Sequence, residues 1–342
     1  MTTLTTSTPT AATGPRLVEG RGELSTTVVR ALRSGDAPDT STAAVLRADP
    51  FGEDLHLALY LLYELHYRGF DGVPDDREWD PSLLRLRKDL EARFLDALRA
   101  ALPDAPRTVE DAFAPLLVEP VDLSGSLSRH LEKEGELWQL REYAALRSLY
   151  HLKEADPHAW VIPRLTGRAK AAMVAIEYDE FGAGRADRMH ARLFADLMVD
   201  LGLDPAYGRY LEAAPAAALA TVNVMSLFGL HRALRGALVG HFACVEVTSS
   251  PGSRRLAEAM RRCGAGAAAE HFYAEHVEAD AVHEQLVRRE VVGGLLADEP
   301  ALEEDIAFGC AATVFLEDRL ADHIRAAWAA GESALLTPLP PA

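Results

Sequence analysis

The chain has 342 residues, 49% of them hydrophobic, enough to bury the core of one large or two modest domains. Asp and Glu outnumber Lys and Arg by 52 to 35, and the net charge of -17 argues against nucleic-acid or anionic-membrane partners, which want a basic patch. Cys244, Cys263 and Cys310 are widely spaced and form no CxxC pattern. They indicate neither a disulfide framework nor a thiolate zinc site, and a reducing cytoplasm is the simplest compartment.

The opening run MTTLTTSTPTAATGP lacks the basic and apolar regions of a secretory signal, and residues 1–40 are expected to be a largely disordered tail. Helical periodicity dominates from there, and strand signals are scarce. Asp54 to Tyr67 reads as an amphipathic helix. Pro81 to Leu102 reads as a second, with proline at its first turn, where a missing N–H costs nothing. Loops follow at 103–107 and near Pro120. A long helix is expected from Ser126 to about Glu154, ending at Asp156-Pro157. Arg168 to Glu180 is helical, Phe181-Gly182-Ala183-Gly184 interrupts it, and a helix resumes through His190 to about Leu201.

Ala213 to Leu230 is almost entirely apolar. It is rich in Ala and carries Pro215 and Asn223, so it suits a helix enclosed by a bundle better than a membrane span. The pattern places a helix from Pro215 to about Val247, a turn at Ser249-Ser250-Pro251-Gly252 and a short helix to Arg262. Ala267 to Leu296 and Pro300 to about Ala330 complete the set. The expectation is an all-α protein: a tail (1–40), an N-terminal helical region (41–125), a bundle (126–332) and a C-terminal tail (333–342).

One stretch of this pattern carries chemistry. His276, Asp280 and His283 stand at i, i+4 and i+7, within an arc of about 60° on one helix face. Two imidazoles and a carboxylate in an Ala/Val-rich helix are the donor set of non-haem iron or manganese. Ligands must converge from several helices to close such a site, and the chain offers others in apolar surroundings. Glu246 ends the most apolar helix, where a lone carboxylate is costly unless paired or bound to metal. Glu177, Asp179 and Glu180 precede two glycines, and His190 opens the next helix. Glu180 and His190 share a face only if those glycines break the helix.

Glu177-Tyr178-Asp179-Glu180-Phe181-Gly182-Ala183-Gly184, followed by His190 and Leu193-Phe194, resembles the second-helix signature of the heme-oxygenase-like diiron oxidases, a group also described as iron-containing redox enzymes. The Leu152–His158 segment, the Glu246 region and the HxxxDxxH run fall in the same order, and the resemblance spans roughly residues 126–330. It implies a heme-oxygenase-like helical bundle, here with an N-terminal helical extension, holding two iron ions instead of heme, with manganese as an alternative metal. It implies Glu154, Glu180, His190, Glu246, His276, Asp280 and His283 as metal ligands, with no catalytic residue beyond them. Asp187 stands as an alternative to Glu180, because several members of that group place a carboxylate three residues before the second-helix histidine, and Glu177 is a further substitute.

The implied activity is that of an O2-dependent non-haem oxidase or oxygenase with O2 as co-substrate. The implied substrate is a small amino-acid-like or fatty-acid-like molecule, undergoing N-oxygenation, desaturation or C–C cleavage. No flavin or iron–sulfur motif is evident, so an external electron donor is an expected partner, and a homodimer is left open. Three other readings stand beside it: a heme-binding or heme-degrading bundle of the same fold, a non-catalytic iron-binding helical module, and a thiaminase-like hydrolase using Cys244. Outside the ligand set, Glu64-Leu65-His66-Tyr67 could wall a substrate cavity or be an ordinary amphipathic face. His271, His158 and Arg164 read as exposed or loop residues, and Glu303-Glu304-Asp305 as a favourable helix N-terminus.

Overall fold

Residues 14–119, 122–123 and 125–340 are described by a computed structural model, and among them there are helices and no strands. The first helix, α1 (Glu23–Ser34), corrects the expected disordered tail. Its Thr/Ser-rich composition hides an apolar face of Leu24, Val28 and Leu32, all buried. Its free N-terminal N–H groups at Leu24 and Ser25 donate to the Asp54 carboxylate at 2.9 and 2.7 Å. Tertiary contact, absent from local composition, makes this segment fold.

Beyond α2 (Thr42–Arg47), α3 (Glu53–Glu64) is buried on nearly every side. The amphipathic α4 (Pro81–Ala101) starts at a proline with Asp80 as its cap, close to the expected bounds. A short α5 (Val109–Phe113) follows. The single helix expected from Ser126 is two, α6 (Leu127–Lys133) and α7 (Leu137–His151), broken at Gly135, where a methyl group would lie 2.7 Å from the Leu131 Cα. Then come α8 (Asp156–Ala159), α9 (Gly167–Glu180), α10 (His190–Asp200) and the almost wholly buried α11 (Ala216–Leu230).

The chain bends by 107° after α11 and enters α12 (Arg235–Arg262). The break expected at Ser249–Gly252 is not there: α12 runs through Pro251. The buried face continues across it, from Val247 through Ser253 to Leu256 and Met260, so packing outweighs the lost backbone hydrogen bond. His231, in extended backbone, ends α11 instead. α13 (Ala267–Leu286) passes through a wide π-turn at Val287–Val292 into α14 (Gly293–Asp298), and α15 (Glu303–Ala329) closes the bundle. Glu303, Glu304 and Asp305 form its acidic first turn as expected.

Helix α12 is the axis, packed by α6, α11, α13 and α15. It meets α15 through backbone: a methyl group on Gly240 would lie 1.9 Å from the Ile306 carbonyl oxygen, and one on Gly309 would lie 2.0 Å from that of Ala237. Buried apolar side chains connect into one core from Leu24 to Leu335. The C-terminal segment joins it, with Ala334 and Leu335 buried and the Leu336 N–H donating to the Ala213 carbonyl at 2.8 Å. Among the described residues, no single helix is long and apolar enough to cross a membrane.

Candidate metal centre

Five separate stretches of chain bring acid and imidazole side chains to one interior. Glu154 lies in the turn after α7, Glu180 ends α9, His190 begins α10, Glu246 is midway along α12, and His276 and His283 are on α13. The glycine segment behaves as the Glu180–His190 spacing requires. Gly182, Ala183 and Gly184 have φ of 73°, 52° and 79°, and this left-handed run ends the helix and returns the chain. Gly182 has no room for a side chain, because a methyl group would lie 2.6 Å from the Met189 nitrogen.

Six of the seven expected ligands then converge in two groups. Glu154, His190 and His276 form one, and Glu180, Glu246 and His283 form the other. Within each, one donor atom per residue lies within 4.8 Å of the others. All six residues are buried. Asp280 is on α13, but its side chain lies outside the described residues. Glu180 links the groups: one carboxylate oxygen is 2.6 Å from His190 Nδ1 and the other is 3.5 Å from His283 Nδ1. Of its two alternatives, Asp187 turns into solvent and pairs with Arg185, while Glu177 is buried beside the second group.

The donor set suits iron, and so does its orientation. His276 Nδ1 donates to the Phe272 carbonyl at 2.7 Å, which leaves Nε2 as the lone-pair nitrogen facing Glu154 at 3.7 Å. His283 Nε2 faces Asp179 at 3.4 Å, which turns Nδ1 toward Glu246 at 3.3 Å. His190 Nδ1 and His283 Nδ1 are buried close to carboxylate oxygens, yet neither makes a well-directed hydrogen bond. Nitrogens and carboxylate oxygens aimed past one another into shared space are what a cation between them would satisfy.

Protons respond to the same crowding. Burial acts to raise the Glu154 carboxyl, but His151 and His276 beside it outweigh that and hold it well below the usual range. Burial acts to lower His190 and His283, yet the Glu180 carboxylate raises the first. Glu246 chiefly, helped by Glu180 and Asp179, pushes the second up to about 9. Glu177 is pushed up to about 9 by burial, reinforced by Glu180 and Glu246, so it is a neutral acid at pH 7.

Several polar residues pack around these groups, and His151, His241 and Thr313 among them carry no sequence signal. His151 Nδ1 meets Glu154 Oε2 at 3.0 Å. His158, read from sequence as a loop residue, is buried, with its Nε2 3.1 Å from that of His241; His241 Nδ1 in turn meets Thr313 Oγ1 at 2.8 Å. Glu64 and His66 are buried too, but neither lines the cavity. His271 is exposed, as expected.

A cavity of about 540 Å³ reaches the site. Glu154, Glu180, Glu246 and His276 form part of its wall, with Tyr150, His158, Phe242 and Phe272. The wall also includes Arg147, which is paired with Glu317 through two contacts, at 2.9 and 2.5 Å.

The family model described as iron-containing redox enzyme matches residues 141–318, just over half of the chain. The chain belongs to this family. All six converging residues fall inside the matched segment, and the helical architecture is the family's heme-oxygenase-like fold. Membership of the iron-containing redox enzymes makes the protein an iron-dependent oxidoreductase. No protein of curated function matches it.

Proposed function

We propose that this protein is an O2-dependent non-haem diiron oxidase or oxygenase acting on a small organic molecule. In this reading Glu154, His190 and His276 hold one iron and Glu180, Glu246 and His283 the other, with Asp280 as a further ligand. The observation that carries it is the pairing of two buried Glu/His groups on the wall of one cavity. When bound, the metal pair would supply activation of O2 for two-electron oxidation.

The chain's own residues do the rest. Glu180 reaches both groups and would be the carboxylate shared between the two ions. Hydrogen bonds donated to the Phe272 carbonyl and the Asp179 carboxylate fix the His276 and His283 ring orientations, and His151 steadies Glu154. Phe242 and Phe272 add apolar rings to the cavity wall beside His158 and His276, which limits water beside a reactive oxidant. The cavity gives a substrate access to the site and favours an enzyme over an iron-storage module. An external donor, or the substrate itself, would supply electrons, and the three free thiols suit a cytoplasmic setting.

Anaerobic Fe(II) titration followed by rapid mixing with O2 tests the proposal. The expected result is two irons per chain and a transient long-wavelength absorption whose decay quickens with substrate. Uptake of one iron, or direct formation of ferric product with no transient, would overturn it.

A further inference from the structure

Glu154 differs from the other candidate ligands in how it is supported. The rest stand on helices or at helix ends, whereas Glu154 sits in the Leu152-Lys153-Glu154-Ala155 turn between α7 and α8. Ala155 has a φ of 74°, a left-handed conformation that an alanine adopts only where its surroundings enforce it. A turn of this kind needs an anchor if its carboxylate is to stay in place.

The anchor comes from outside the family-matched segment. The Lys153 ammonium donates to Glu64 Oε2 at 3.0 Å, and both side chains are essentially inaccessible to water. The same ammonium lies 4.8 and 4.4 Å from the ring centres of Tyr60 and Tyr67. Glu64, the last residue of α3, also accepts from Tyr207 Oη at 2.9 Å and from the Arg68 backbone N–H at 3.3 Å. The Arg68 guanidinium donates to the Leu152 carbonyl at 3.3 Å. The two residues before Glu154 are thus both held by the stretch of chain that ends α3.

A buried ion pair is a poor device for stability alone, since well-packed apolar side chains often do as well or better. What it supplies is position, and this one abuts a candidate ligand. We propose that Glu64, Lys153 and Arg68 form a positioning clamp, by which the N-terminal helical region sets the Glu154 carboxylate against His190 and His276. The inference rests on the two-ion reading above and deepens it. It makes the N-terminal region part of one metal group and not of the other, because Glu180, Glu246 and His283 have no share in this turn.

That asymmetry is the test. Glu64→Gln leaves Lys153 buried without a counter-charge and can fail to fold, so the decisive variant is Glu64→Gln with Lys153→Met, which removes both charges and keeps both side chains near their original length. Full-length wild type and variants would be titrated anaerobically with Fe(II) against a competing chelator, and with Co(II) while its ligand-field absorption is followed. His276→Ala identifies the binding step that belongs to the Glu154 group. The expected result is a double variant with unchanged helical circular dichroism, that same step weakened tenfold or more with an altered Co(II) spectrum, and the other step unchanged. A folded double variant with wild-type affinities and spectrum at both steps would overturn the clamp. Wild type binding a single ion would overturn the two-ion reading. The clamp would then stand if the double variant weakened the step lost in His276→Ala, and fall if it did not.

Discussion

His283 allows the metal reading to be tested through protons alone. Its imidazole is 2% exposed, yet it is held protonated by Glu246 at 3.3 Å, Glu180 at 3.5 Å and Asp179 at 3.4 Å, which push it up to about 9. A metal ion accepts only the neutral ring, so binding at pH 7 must displace this proton. A gap of about two pH units corresponds to about 100-fold in affinity, or ~2.7 kcal/mol. Affinity for Co(II) or Fe(II) should therefore rise about tenfold per pH unit from about pH 7 and level off near pH 9. His190, raised by Glu180, adds in the same direction. Chelator-buffered titrations at several pH values give the slope, and an indicator dye in weak buffer at pH 7 reads proton release directly. The metal-free protein should show the complementary trend. A histidine raised above its ordinary 6.5 stabilises the fold fully below that pH and loses this contribution as pH climbs toward 9. Affinity independent of pH with no proton release would refute the reasoning, as would a metal-free protein that grows more stable between pH 6.5 and 9.

Two further outcomes follow from the same geometry. His276→Ala and His283→Ala should each remove one of the two binding steps and leave the other, read by metal titration, with the far-ultraviolet circular dichroism of the folded chain retained. Gly309→Ala places a methyl group 2.0 Å from the Ala237 carbonyl oxygen and must push α15 away from α12. It should lower stability by about 1–3 kcal/mol or more in chemical denaturation, because backbone cannot yield as a flexible side chain does.

Much of the architecture was legible because its signals are local. The period of apolar residues located α3, α4, α9, α10 and α15 closely. The readings failed where distant chain decides the outcome. Residues 23–34 look like part of a polar tail until Asp54 caps the helix and α3 covers its leucines. Pro251 looks like a breaker until helices pack along both sides of α12. Sequence local to a breaker states the cost of continuing a helix, but the compensating burial belongs to partners far away in the chain.

The candidate site divides along the same line. His276 and His283 were visible because one helix fixes their spacing, and Glu180 with His190 because glycines between them announce a reversal. The partners of Asp179, His151 and the His158–His241–Thr313 chain, and the pairing of Glu64 with Lys153, were not. Each depends on one segment approaching another, as Glu64 approaches Lys153 across 89 positions. Residues that donate to a metal must be of a few types at few spacings, so they leave a mark in the sequence. Residues that orient those donors can be almost any hydrogen-bonding type from any element, down to the backbone carbonyl of Phe272. The family match accordingly covers all six converging donors, but its bounds leave out Glu64 and Arg68. Two members alike in donors can then differ in what holds them, and the Glu154 turn is where such a difference would change how tightly one ion is bound.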